Sequence, residues 1–140
     1  MTKTVVITGA SSGIGKSIAI YLTSKGLKVY GTCRDPKKYD IKDFELLKCN
    51  IDNHIEIKDC IKYVKKKEGK IDVLINNAGI GIMGPLEETS ELDMKSAFQT
   101  NFFGPISIIK ECIPSMRENN KGLIINITSV VGHTGNVGQA

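Results

Sequence analysis

The most constraining feature is a β-branched run that empties directly into glycines. Thr4-Val-Val-Ile-Thr8 reads as a short strand, and Gly9-Ala-Ser-Ser-Gly13-Ile-Gly15 follows without a spacer. From Ile14 onward Ile18, Ala19 and Leu22 recur at helical spacing, and Gly26 supplies a stop. A strand turning into a helix through glycines brings the backbone close to whatever sits at the turn. The free N–H groups of the first helical turn then point at that position and favour an anion.

The same alternation continues to the end of the chain. Leu27 to Thr32 predicts a second strand, Arg34-Asp35-Pro36 a break, and Phe44 to Cys49 a third strand. Ile57, Cys60, Ile61 and Val64 line one face of a helix that Gly69 ends. Ile71 to Ile75 is almost wholly apolar, as expected of a strand buried on both faces. A long helical segment from about Glu91 to Arg117 precedes a fifth strand, Leu123 to Ile127. Strands alternating with helices predict an α/β fold with a doubly wound parallel sheet of the Rossmann type. No linker or repeat divides residues 1–140, so a single domain is expected.

Composition narrows the function. The net charge of +4 is spread over scattered lysines, only Arg34 and Arg117 being arginine, which argues against a nucleic-acid partner. The run Lys65, Lys66, Lys67 falls at a predicted helix end, where cations suit the helix dipole. Cys33, Cys49, Cys60 and Cys112 have neither C-x-x-C spacing nor a matching His pair, so neither a metal site nor a disulfide framework is expected. With a strand starting close to Met1 and no long apolar run, a cytoplasmic protein with no membrane span is predicted.

Gly15-Lys16-Ser17 imitates the end of an NTPase phosphate loop. The first glycine of that motif would have to stand where Ala10 is, so nucleotide hydrolysis is not supported.

Four ordered segments together resemble the short-chain dehydrogenase/reductase family over the whole chain. They are Thr8-Gly9-x-x-x-Gly13-x-Gly15, Asn76-Asn77-Ala78-Gly79, Asn101 in the long helix, and Ser129 after the fifth strand. The glycine loop, Asn76 to Gly79 and Ser129 all fall at carboxyl ends of strands, where open α/β sheets bind ligands. The resemblance implies an oxidoreductase that interconverts a carbonyl and a secondary alcohol of a small molecule by hydride transfer. It implies catalytic roles for Ser129 and Asn101. Cofactor contacts are implied at Gly9, Ser11, Ser12, Gly13, Ile14, Gly15, Arg34, Asn50, Ile51, Asn77, Ala78 and Gly79. Asn101 falls in an apolar stripe of Met94, Ala97, Phe98, Phe102 and Ile109, so a buried amide with obligatory partners is expected there. Pro105 removes the normal helical partner of the Asn101 carbonyl, which predicts a kink.

The position that carries Asp in NAD-preferring members is Cys33, followed by Arg34. A missing carboxylate and a guanidinium favour NADP(H) over NAD(H), since an arginine–phosphate contact is worth about 1.5–3 kcal/mol. Asn50 stands where the family usually has an Asp for the adenine amino group; its amide oxygen still accepts, and Ile51 would pack on the ring.

The family's proton-donating Tyr, with a Lys four residues on, belongs a short distance after Ser129, beyond Ala140. Tyr21 to Lys25 and Tyr63 to Lys67 are chance matches that precede Ser129. Family members continue to about 250 residues. Residues 1–140 are therefore expected to be incomplete at the C-terminus, inactive alone, and unstable or associating. The full-length protein is expected to be a homodimer or homotetramer. A catalytically inactive dinucleotide-binding regulator or redox sensor is the alternative, which retention of Asn101 and Ser129 disfavours. Substrate cues conflict. The segments around Gly79 to Glu87 and Asn101 to Pro105 are similar to members acting on hydroxysteroids or retinoids, whereas Gly132 to Ala140 is similar to 3-oxoacyl carrier-protein reductases.

Overall fold

The computed structural model describes residues 2–130. Five strands, β1 (Thr4–Thr8), β2 (Lys28–Cys33), β3 (Glu45–Lys48), β4 (Val73–Asn76) and β5 (Leu123–Asn126), form one parallel sheet in the order β3-β2-β1-β4-β5. Helix α1 (Gly13–Ser24) joins β1 to β2, and α2 (His54–Glu68) joins β3 to β4. Between β4 and β5 run α3 (Glu91–Phe98) and α4 (Gly104–Glu118). The doubly wound architecture expected from the alternation is present.

Each strand sends alternate side chains to opposite faces. Val5, Ile7, Val29, Val73 and Ile75 pack with Ala19 of α1 and with Phe44. Val6, Tyr30 and Leu74 face the other way, onto Ile57, Ile61 and Val64 of α2 and Ile108, Cys112 and Met116 of α4. Val5, Val6, Ile7 and Leu74 have no exposed surface at all. Burial of each such side chain contributes about 1.5–3 kcal/mol, which makes β1 and β4 the rigid centre of the sheet.

The helix ends follow local chemistry. Asn53 caps α2 by accepting from the N–H groups of Ile55 and Glu56. Gly69 ends it in the left-handed region (φ 76°), with Lys65, Lys66 and Lys67 in the last turn. The long segment after β4 is not one helix. Gln99–Phe103 forms a π-helical turn in which the Gly104 N–H donates to the Gln99 carbonyl. The predicted kink at Pro105 thus takes the form of a widened turn, with Asn101 at its middle.

The apolar stripe expected to bury Asn101 is corrected by the structure. Phe98, Phe102 and Phe103 are each more than half exposed, and Asn101 itself is exposed. Helical spacing identified a face but not what covers it; among the described residues the buried face of this segment is the one carrying Ile108, Cys112 and Met116. No helix of the described residues is long and apolar enough to cross a membrane.

Candidate active site

Strand order reverses between β1 and β4, and a crevice opens at the carboxyl ends of these strands. Its volume is about 650 Å³, within the range of small-molecule and cofactor sites. Gly9, Ser11, Ser12, Gly13 and Ile14 line it from the turn after β1, Arg34 from the end of β2, Asn50 and Ile51 from the end of β3, and Asn77, Ala78 and Gly79 from the end of β4. Four separate segments therefore meet at one place, because parallel strands deliver all their carboxyl ends to the same edge.

The glycine loop is built by close approach. A Cβ at Gly9 (φ 66°) would stand 2.9 Å from the Ala78 Cα. At Gly15 it would stand 2.4 Å from both the Gly9 carbonyl oxygen and the Asn77 side-chain nitrogen. Gly15 is thus a packing glycine behind the crevice and does not line it. Gly13 differs, with φ 53° and nothing within 4 Å of its missing Cβ, so its backbone is open to the crevice. The Ser12 side chain does not cap α1, and the first turn carries no acidic residue. That helix N-terminus is suited to an anion supplied from outside.

Hydrogen bonds tie the loop after β4 to the loop after β1. Thr8 Oγ1 accepts from the backbone N–H groups of Asn77 (2.9 Å) and Ala78 (3.0 Å). The Asn77 side chain donates to the Thr8 and Gly9 carbonyls at 3.0 and 3.1 Å. Its amide nitrogen therefore shapes the crevice.

Around the end of β2 the crevice wall carries charges of both signs. Burial pushes the Cys33 thiol up from its ordinary value, so Cys33 itself carries no negative charge. Among the described residues Arg34 makes no ion pair; Asp35 pairs instead with Lys38, at 3.5 Å. Asp35, Lys38 and Tyr39 also line the crevice, and the sequence reading did not include them. Their signal was the Asp35-Pro36 break, which starts a 3-10 turn (Pro36–Lys38) that folds the lysine back.

Asn50 holds two roles at the end of β3. Its backbone N–H donates to Glu56 (2.8 Å), and its side-chain oxygen accepts from the Asp52 N–H (3.2 Å). The oxygen assigned to adenine is already partly engaged, with one lone pair left. Ile51 is buried in the core and packs on Gly104, where a Cβ would stand 2.7 Å from Ile51 Cγ1. Thr100 donates to Asp52 at 2.8 Å, so the π-turn is docked on this side of the crevice.

Asn101 and Ser129 do not line the crevice. Asn101 acts on it at one remove. Its side-chain oxygen accepts from the Ile80 N–H at 2.9 Å, and its nitrogen donates to the Ile80 carbonyl at 2.8 Å. Ile80 is a lining residue. Ser129 follows β5, beside the end of β4, and is exposed. Asn76 and Asn126 are directly paired in register, and the Asn76 amide donates to the Asn126 side chain at 2.8 Å. The Tyr-Lys strings lie elsewhere. Tyr21 is on α1 beside Lys25, and the Tyr63 hydroxyl on α2 donates to Glu45 at 2.6 Å. The segment Gly132 to Ala140 lies outside the described residues. Among the described residues no cluster of His, Cys, Asp and Glu is placed to hold a metal, and all four cysteines are unpaired and buried.

The profile of the short chain dehydrogenase family matches residues 3–140. The 3-ketodihydrosphingosine reductase of Bacteroides thetaiotaomicron is 41% identical over 131 residues, covering 94% of this chain and 48% of the relative. A 3-oxoacyl acyl-carrier-protein reductase of Staphylococcus epidermidis is 35% identical over 150 residues, covering 100% of this chain and 62% of the relative. The solved structure of ElxO with NADP bound superposes with a TM-score of 0.90 at 30% identity, covering 99% of this chain and 60% of that one. The chain thus spans about half to three-fifths of the length of these proteins.

Proposed function

Because this chain belongs to the short-chain dehydrogenase family, we propose that it forms the cofactor-binding half of an NADP(H)-dependent oxidoreductase that interconverts a carbonyl and a secondary alcohol. One observation carries the reading. The uncapped N-terminus of α1, the neutral Cys33 and the unpaired Arg34 converge on one crevice at the strand-order reversal.

The nicotinamide supplies the hydride chemistry when bound. The chain's own residues do the rest. Backbone N–H groups of the first turn of α1 hold the pyrophosphate, and the Arg34 guanidinium holds the 2′-phosphate. Ile51, Asn50 and Ala78 bound the adenosine end. Ser129 Oγ donates to the substrate oxygen and stabilises charge that develops there. Asn101 keeps the loop at Ile80 in place through its two side-chain bonds. The proton would come from the tyrosine that the family carries a short distance after the position of Ser129. Two of the relatives are named as reductases of a 3-keto or 3-oxo compound, which extends the proposal to ketone reduction. A cytoplasmic protein and a homo-oligomer built on the exposed Phe98, Phe102 and Phe103 complete the reading.

The test is NADPH and NADH oxidation by the protein expressed from its complete gene, against a panel of 3-oxoacyl thioesters and long-chain ketones. Turnover with a preference for NADPH is expected. Tight NADPH binding with no turnover of any carbonyl would replace the enzyme with a dinucleotide-binding regulator.

A further inference from the structure

The 2′-phosphate of NADP(H) carries nearly two negative charges at neutral pH, as a phosphate monoester whose second pKa is about 6. Arg34 supplies one positive charge. Asp35, its neighbour, also lines the crevice and brings a negative charge there. One guanidinium compensates only about half of a dianion, and a second cation within reach would complete the match.

Lys38 is placed to supply it. Pro36 sets the backbone for a 3-10 turn, Pro36–Lys38, in which the Lys38 N–H donates to the Asp35 carbonyl at 3.4 Å. The turn folds the lysine back onto the crevice wall, with its Nζ 3.5 Å from the Asp35 carboxylate. Asp35 does not use its side chain to cap the turn, and its carboxylate pairs with the lysine. The lysine side chain is 73% exposed and the aspartate 47%. An ion pair that open to water is weak and exchanges partners at little cost.

We propose that Lys38 is a second cation for the 2′-phosphate, held at the rim by Asp35 and exchanged onto the phosphate when the cofactor binds. The inference rests on the NADP(H) reading of Arg34 and extends it to a residue that neither the glycine loop nor the end of β2 contains. Lys38 thereby sets how strongly a phosphorylated ribose is preferred over a free one.

The experiment measures dissociation constants of adenosine 2′,5′-bisphosphate and adenosine 5′-monophosphate by calorimetry, on the protein expressed from its complete gene. The readout is the ratio of the two constants in the parent protein, Lys38→Ala, Lys38→Arg and Arg34→Ala. Lys38→Ala is expected to reduce the preference for the bisphosphate by roughly tenfold or more, the size of one charge-assisted contact. Lys38→Arg should restore most of it. A merely structural role for the 3-10 turn would weaken both ligands by the same factor and leave the ratio unchanged, which overturns the proposal. If Arg34→Ala lowers the ratio and Lys38→Ala does not, Lys38 is excluded while the NADP(H) reading stands. A parent protein with no preference for the bisphosphate removes the NADP(H) reading, and this inference with it.

Discussion

Asn77 grips Thr8 at two points: its backbone N–H donates to Thr8 Oγ1 at 2.9 Å, and its side-chain amide donates to the Thr8 carbonyl at 3.0 Å. The same amide reaches the Gly9 carbonyl at 3.1 Å. Two loops far apart in sequence are thereby locked as one wall of the crevice. Asn77→Ala leaves both carbonyls without this donor and should cost about 1–3 kcal/mol of stability. Urea unfolding of the full-length protein with and without the substitution checks it; a change below about 0.5 kcal/mol would show that the grip is replaceable.

The glycines of the loop should separate sharply. Gly15→Ala drives a Cβ to 2.4 Å from the Gly9 carbonyl oxygen, where backbone cannot yield easily. A loss of about 1–3 kcal/mol is expected, with cofactor binding weakened more than tenfold as the loop shifts. Gly13→Ala meets nothing within 4 Å and has only its φ of 53° to contend with. Its cost should be about 1 kcal/mol. Equal Tm losses for the two substitutions would contradict this account of the loop.

Ser129→Ala should lower kcat by about 10²–10³ while leaving the KM for NADPH nearly unchanged. The separation is expected because Ser129 does not line the cofactor crevice. Steady-state kinetics on the full-length enzyme decide it, and a kcat within threefold of the parent would remove Ser129 from the chemistry.

Asp72 makes stability depend on acid. Burial pushes its carboxyl up, but the Thr4 N–H at 2.7 Å and the Lys70 ammonium at 2.9 Å outweigh this, and the folded-state value lies below the ordinary one of 3.8. A depressed folded value means that the stabilisation is complete above the unfolded pKa and is lost as pH falls through the folded one. Stability should therefore fall below about pH 4, and Asp72→Asn should flatten that part of the curve. Unfolding midpoints measured from pH 6 to pH 2 test it.

A polypeptide of residues 1–140 alone should associate. Phe98, Phe102 and Phe103 are more than half exposed, and β5 lies at a sheet edge with Leu123 and Ile127 partly open. Exposed apolar side chains beside an unpaired strand edge favour self-association. Light scattering across a concentration series is the measurement. A constant monomer mass with one sharp thermal transition would count against it.

Much of the fold was legible because its signals are local. The β-branched run at Thr4 to Thr8, the face of Ile57, Cys60, Ile61 and Val64, and the stop at Gly69 each depend on neighbours within one or two turns. The loop residues of the candidate site were legible for the same reason, since glycine spacing at a strand-to-helix turn is a backbone requirement. The stripe at Phe98 and Phe102 misled because spacing defines a helix face without saying what lies against it. Lys38 was missed because its place depends on how a 3-10 turn folds back, and the packing of Gly15 against Asn77 was not legible because the two are distant in sequence.

By itself, then, the sequence determined the alternation of strands and helices, that the sheet is parallel, and which loops gather at the binding edge. Those properties follow from periodicity, backbone freedom and chirality, all of which act over a few residues. The tertiary structure alone decided that Asn77 braces the loop after β1, that Asn101 clamps Ile80, and that Asp35 pairs with Lys38 and not with Arg34. Choosing among possible hydrogen-bond and ion-pair partners requires distances, and distances between segments exist only once the strands have been set side by side.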